Sequence, residues 1–203
     1  MIVKAGGVQW TTAGRGIIHA EAPTKEFVKR GGELEGIQLW LNLPAKDKMM
    51  TPNYQHLEQA QIPKVYSNDQ KVQLNIIAGK QQHELGLIQT QTEVNVFSAK
   101  AIKGGKIEIE ISENHQSLLY LLEGEILVNN SEILKKGEHQ MITFNQDGNT
   151  IEFEAKKESV ILILSGRPIK EKVTQYGPYV MNTQTEILEA MRDYQQGKMG
   201  YLY

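Results

Sequence analysis

A series of short strand-like runs between Val94 and Leu164 constrains the fold more than any other feature of this sequence. Val94-Asn-Val96 and Ile107-Glu-Ile-Glu-Ile111 alternate apolar and polar residues with period two, the pattern of half-buried antiparallel strands. Leu118-Leu-Tyr-Leu-Leu122 is apolar throughout and reads as a central strand covered on both faces. Glu123-Gly-Glu125 turns the chain into Ile126-Leu-Val128, with both glutamates read as exposed hairpin residues. Asn129-Asn130 supplies the next turn, because Asn tolerates the left-handed backbone of tight hairpins. Further strands follow at Gln140 to Phe144, Ile151 to Ala155 and Val160 to Leu164, broken at Gly137, Asp147-Gly148 and Lys156-Lys-Glu158. Short strands about ten residues apart predict an all-β sandwich or barrel. No strand–helix alternation and no solenoid repeat is present.

The first third is strand-like but less regular. Gly6-Gly7, Gly14-Arg-Gly16 and Gly31-Gly32 punctuate short apolar stretches at Ile17-Ile18 and Ile37 to Leu43. Pro44 to Pro63 is polar and reads as a linker or an extended bridging loop. The one helix predicted lies at the end. Thr183-Gln-Thr-Glu186 has capping-box spacing, Ile187, Leu188, Met191 and Tyr194 follow on one face, and Gly197 supplies a stop.

Composition narrows the functional classes. Lys plus Arg (22) nearly balances Asp plus Glu (24) with no basic block, which argues against a dedicated nucleic-acid surface. The run Val160 to Leu164 is far too short to cross a bilayer, and Met1-Ile-Val-Lys does not resemble a signal peptide. Without cysteine there are no disulfides, thiolate ligands or thiol nucleophiles. A cytoplasmic protein is expected.

His19-Ala-Glu21 is the local pattern with most chemical content. On a strand, residues two apart point the same way, so imidazole and carboxylate would meet at one site. Mixed nitrogen and oxygen donors suit divalent first-row metals. The same tripeptide is also a common surface pair, and both readings stand on the residues alone. His56 reads as a solvated loop residue, His83 as a turn residue, His115 as a loop tip and His139 as a strand entry. Ser131 and Ser165 lack a nucleophile motif, and Gly14-Arg-Gly16 lacks the Lys and helix of a phosphate loop. In Asp47-Lys-Met-Met50 the methionines read as packing residues.

Longer motifs carry a family resemblance. Val8-Gln-Trp-Thr-Thr-Ala-Gly-Arg-Gly-Ile-Ile-His-Ala-Glu21 resembles the first-domain motif of the pirins, members of the cupin superfamily. Gly32 to Met50, with Gln38-Leu-Trp-Leu-Asn-Leu-Pro44, is similar to a second pirin stretch, and Gln175-Tyr-Gly-Pro-Tyr-Val-Met-Asn-Thr183 to the family's closing motif. Ile77-Ala-Gly79 and Leu121-Leu-Glu-Gly-Glu125 fit between them. The resemblance implies a bicupin: two double-stranded β-helix (jelly-roll) barrels, the N-terminal one incomplete here, plus the C-terminal helix. The expected division is a truncated N-terminal domain and bridge over residues 1–62 and a C-terminal cupin domain with terminal helix over 63–203. Family metal sites use three histidines and a glutamate, of which His19 and Glu21 match the third histidine and the glutamate. The segment that carries the other two histidines has no counterpart, so the ligand set is expected to be incomplete.

That arithmetic favours a protein-interaction or regulatory module over an enzyme. The alternative is a metal-dependent quercetin 2,3-dioxygenase-like oxidoreductase using Fe, Mn, Ni or Cu, with a flavonol-type small molecule as substrate and Glu21 as ligand or catalytic base. Metal is expected to be held weakly or not at all by the monomer. A protein partner and a homo-oligomer are expected, because an incomplete first barrel exposes Ile17-Ile18 and Leu39-Trp40-Leu41.

Overall fold

The alternating runs become paired strands. In chain order the first are β1 (Val8–Thr12), β2 (Asn53–Leu57), β3 (Lys64–Tyr66) and β4 (Val72–Ala78), then a short hairpin of β5 (Lys80–Gln81) and β6 (Glu84–Leu85). The middle of the chain supplies β7 (Val94–Ala101), β8 (Lys106–Glu110), β9 (Gln116–Glu123), β10 (Glu125–Val128) and β11 (Glu132–Lys135). After these come β12 (Met141–Thr143), β13 (Thr150–Ala155), β14 (Ser159–Gly166) and a last hairpin, β15 (Thr174–Tyr176) with β16 (Tyr179–Met181). The computed structural model describes residues 2–202, which divide into two compact units.

The barrel unit comprises Ala5–Val8 and Leu57–Pro168. Its six-stranded sheet runs β12-β9-β14-β7-β4-β3 and its four-stranded sheet β11-β10-β13-β8. Sequence explains the pairing directly. Ile107 and Ile109 of β8 face inward between outward Lys106, Glu108 and Glu110, and they pair with Phe153 and Ile151 of β13. One apolar cluster joins both sheets, with Leu74, Phe97, Leu119 and Ile161 from the larger and Ile126 and Phe153 from the smaller.

Turn chemistry behaves as the sequence predicts. Asn129 and Asn130 take φ of 45° and 58°, and Asn129 Oδ1 accepts from the Glu152 amide at 2.9 Å, so the turn also pairs with the neighbouring strand. Gly124 has φ of 90°, and a Cβ there would collide with the Glu158 carbonyl oxygen. Leu118–Leu122 differs from expectation. The run lies inside the six-stranded sheet, but only Leu119 and Leu121 are fully buried, and Tyr120 faces outward.

The other unit, the split unit, gathers residues 2–4, 9–56 and 169–202. Its regular structure is sparse: β1 and β2 form one small sheet, β15 and β16 another, and two helices complete it. Helix α1 (Lys25–Arg30), capped by Thr24, is absent from the sequence-based expectation and buries no residue. Ile17-Ile18 and Ile37 to Leu43, expected as strand-like, carry no strand assignment. The polar stretch expected as a bridge instead contains two 3₁₀ turns and β2.

Helix α2 (Gln184–Gln195) has the predicted cap: Thr183 Oγ1 accepts from the Glu186 amide, and Glu186 Oε2 accepts from the Thr183 amide. It packs on β15 and β16. Its apolar face is narrower than the pattern implied, because Ile187 is buried while Leu188 and Tyr194 are exposed. The segment 169–202 groups with residues 9–56, whereas the sequence reading assigns it to a 63–203 domain. Among the described residues no helix is long and apolar enough to cross a membrane.

Candidate metal centre

Two glycines hold the chain that leads to His19. Gly14 (φ 51°) and Gly16 (φ 119°) adopt backbone that other residues resist, and side chains there would strike the Met50 carbonyl and the Met199 side chain. The intervening Arg15 amide donates to Met50 O at 2.9 Å, and the Ile18 amide donates to Met199 O at 3.2 Å. Gly14-Arg15-Gly16 is thus a close-approach loop fastened at both sides.

Beyond it, His19 and Glu21 lie in irregular chain, not on the expected strand. They still meet. His19 Nδ1 is 3.7 Å from Glu21 Oε1, with the two side chains 54% and 50% exposed. Gln9 of β1 donates through Nε2 to Glu21 Oε1, and Gln9 Oε1 accepts from the Tyr54 hydroxyl of β2 at 3.3 Å. The small sheet therefore orients the carboxylate through an amide bridge. Sequence reasoning missed both supports: Gln9 sits inside the quoted motif without a role, and Tyr54 lies in the stretch read as a loop.

The other histidines do not assemble with the pair. Among the described residues no group of three or more His, Asp or Glu side chains could hold a metal. His56 is part-buried in β2 instead of lying in a solvated loop; His83 lies in a turn as expected, and both it and His139 are exposed. His115 is buried, not an open loop tip. Its Nδ1 is 3.2 Å from Ser165 Oγ, its Nε2 is 3.9 Å from Glu93 Oε2, and Asn95 Nδ2 donates to the same Ser165 oxygen at 2.9 Å. Burial lowers the His115 pKa below 6.5, opposed by Glu93 and reinforced by Arg167. Ser, His and Glu thus meet although no motif announces them. The serine is buried and already hydrogen-bonded, so the set reads as a structural clasp.

Comparison with known proteins decides the lineage. The model of the Pirin C-terminal cupin domain matches residues 96–200, and the Pirin model matches residues 1–41.

The chain belongs to the pirin family.

Among pirins, the Pirin-like protein of Solanum lycopersicum is 36% identical over 200 residues, covering 98% of this chain and 66% of that protein. The Pirin of Homo sapiens is 33% identical over 201 residues, covering 98% of this chain and 67% of its own length. A crystal structure of quercetin 2,3-dioxygenase from Acinetobacter baumannii superposes with a TM-score of 0.92 at 36% identity, covering 99% of this chain and 69% of that one. This chain therefore spans about two thirds of the length of these relatives. The match over 96–200 takes in the four-stranded sheet, most of β7 with β9, β12 and β14 of the larger sheet, the last hairpin and α2, and it gives the barrel its cupin identity.

The donor chemistry of the pair fits part of a metal sphere. Donors about 2.1 Å from a first-row metal and at right angles to it lie about 3 Å apart, so a shift of less than an ångström from 3.7 Å would let His19 and Glu21 chelate. A bound divalent metal would act as a Lewis acid toward an oxygen ligand. The residues supply one imidazole and one carboxylate, and Gln9 already occupies one carboxylate oxygen. That is short of a facial triad, which takes three protein donors with open positions beside them.

Proposed function

We propose that this chain is a pirin-family binding and regulatory module in which His19 and Glu21 form an incomplete metal site. The observation that carries the reading is the pair itself: two half-exposed donors, one of them held by Gln9. Exposed donors must displace well-ordered water and gain little from a preorganised cage, so a metal on two such groups is weakly retained. The same reading includes a protein partner or a second copy of the chain. In its support, the irregular stretch after α1 exposes Leu34 (70%), Ile37 and Trp40 (64%). The protein acts in the cytoplasm.

A second reading is a metal-dependent quercetin 2,3-dioxygenase-like oxidoreductase, favoured by the 36% identity to the Acinetobacter baumannii protein. Here Fe, Mn, Ni or Cu would bind a flavonol oxygen, with His19 and Glu21 as ligands or Glu21 as base. One experiment separates the two. The untagged protein is reconstituted with each metal, analysed for bound metal at several concentrations and assayed aerobically with quercetin. The module reading expects substoichiometric metal that chelator removes, and no metal-dependent turnover. One tightly held metal per monomeric chain with robust turnover would establish the oxygenase instead. Tight binding seen only in the oligomer and lost in His19→Ala would mean that a neighbouring copy completes the site.

A further inference from the structure

The barrel unit contains a cavity of about 280 Å³ remote in sequence from His19 and Glu21. That volume is roughly nine times the ~30 Å³ share of a water molecule in the liquid. It lies just under the about 300 Å³ at which small-molecule sites begin. Both sheets line it: Val128 and Ile151 come from the four-stranded sheet, Ser117 and Thr143 from the six-stranded one. Val128 and Ile151 close its floor as core residues, and the partly exposed Ile142 and Phe144 supply its apolar wall.

Polar groups in this lining are uncommitted. Among the described residues no side-chain hydrogen bond engages Ser117, Ser131, Thr143, Asn145 or Thr150. Hydroxyls and an amide at a cavity wall with free capacity can each donate and accept toward an occupant. The charged residues of the lining, Glu132 and Asp147, are both anionic and exposed. Glu113 borders a more open adjoining depression that shares Asp147. His115 also lines the cavity, but its burial favours the neutral ring, so it does not offset the carboxylates.

We propose that this cavity is a second small-molecule site, one that takes a small organic ammonium compound bearing a hydroxyl or ring substituent. Its ammonium sits at Glu132 and Asp147, its body lies against the partly exposed Ile142 and Phe144, and its substituent meets the Ser117 and Thr143 hydroxyls. Nothing in this site depends on the metal pair, so it holds under either reading of the first site.

Tyramine is a suitable probe, with 4-hydroxyphenylacetate as the anion of matched shape. In an amide-resolved NMR titration of the whole chain at low salt, tyramine should give saturable shifts at Ser117, Asn145 and Thr150. The double variant Glu132→Gln/Asp147→Asn removes two exposed charges without touching the core, and should weaken tyramine about fivefold. Added salt should act in the same direction. The proposal is overturned if tyramine gives no saturable shift up to about 10 mM, beyond which affinity is negligible. It is equally overturned if the acid binds as well as the amine, or if the double variant binds tyramine unchanged.

Discussion

The two units of this molecule are held together by different physics. In the barrel unit, Phe97, Phe153, Leu119, Leu121, Ile126 and Ile161 are fully buried in one cluster. In the split unit, Ile187 is the large apolar side chain buried completely, and the other well-buried positions include Thr12 and Lys48. Polar fastenings replace the missing core. Lys48 Nζ donates to Asn42 Oδ1 at 2.6 Å and to Val180 O at 3.2 Å, and Glu171 Oε2 accepts from the Ala45 amide at 2.7 Å. Apolar burial is non-directional and summed over many contacts, whereas a fastening stands or falls with a single donor. The barrel unit is therefore expected to tolerate polar change at its surface, and the split unit to depend on its polar fastenings. The metal pair belongs to the second kind: Glu21 is oriented by one amide and His19 by a glycine-framed loop.

The sharpest way to break this contrast is to put a charge where only apolar burial acts. Leu121 is fully buried and pairs with Ile161. Leu121→Asp should unfold the barrel unit, because an unpaired buried carboxylate costs several kcal/mol, on the order of the whole stability of a domain. Circular dichroism and thermal melting check this. A folded variant of wild-type stability would show that Leu121 is not in the core.

Smaller, and confined to the other unit, is the effect expected of Lys48→Ala. It strands the Asn42 and Val180 oxygens, which costs about 1–3 kcal/mol when acceptors are left buried. It also removes the cation that faces Glu171 and Glu186. Hydrogen exchange should quicken in α2, β15 and β16 while the barrel strands keep their protection. Lys48→Met keeps the stem packing and loses the charge, so it should fall between wild type and alanine. Uniform quickening across both units would dissolve the contrast.

That division explains what the sequence made legible. Period two is the signature of a strand with one apolar face, so β7, β8 and β13 stand where Val94, Ile107 and Ile151 predict them, while the short continuous apolar runs from Ile126 and Val160 become β10 and β14. The capping box announced α2 because its chemistry is local: Thr183 and Glu186 complete each other within one turn. Split-unit elements carry no such signature. β2 reads Asn-Tyr-Gln-His-Leu, and α1 buries nothing, so neither leaves an apolar rhythm to find. Ile37 to Leu43 misled in the opposite direction, with an apolar run that has no strand partner among the described residues. At the candidate site the His19–Glu21 encounter was legible from spacing two. Its supports, Gln9 and Tyr54, come from strands far apart in sequence, and no local pattern carries that information.

The smallest expected effect is a pair of local pH windows, one around His115 and one around Glu186, set beside the barrel carboxylates Asp69, Glu125 and Glu154, which are also held low. His115 in the barrel unit has its pKa lowered from 6.5 chiefly by burial. The unfolded chain then binds more protons just below that value, so the barrel loses stability as pH falls from 6.5 through the lowered folded pKa, and loses none above 6.5. Glu186 in the split unit is held below its ordinary 4.5 by the Thr183 hydroxyl first, then by the Asn182 and Thr183 amides and the Lys48 charge. Its contribution is present above 4.5 and disappears as pH falls through the lowered folded value. Acidification should therefore quicken exchange in the barrel strands first, near Ser165 and Asn95, and in the first turn of α2 only at lower pH. His115→Gln should remove the upper window and leave the lower one, and Glu186→Gln should do the reverse. If both windows vanish together in either variant, the two units unfold as one and the difference between them is only one of composition.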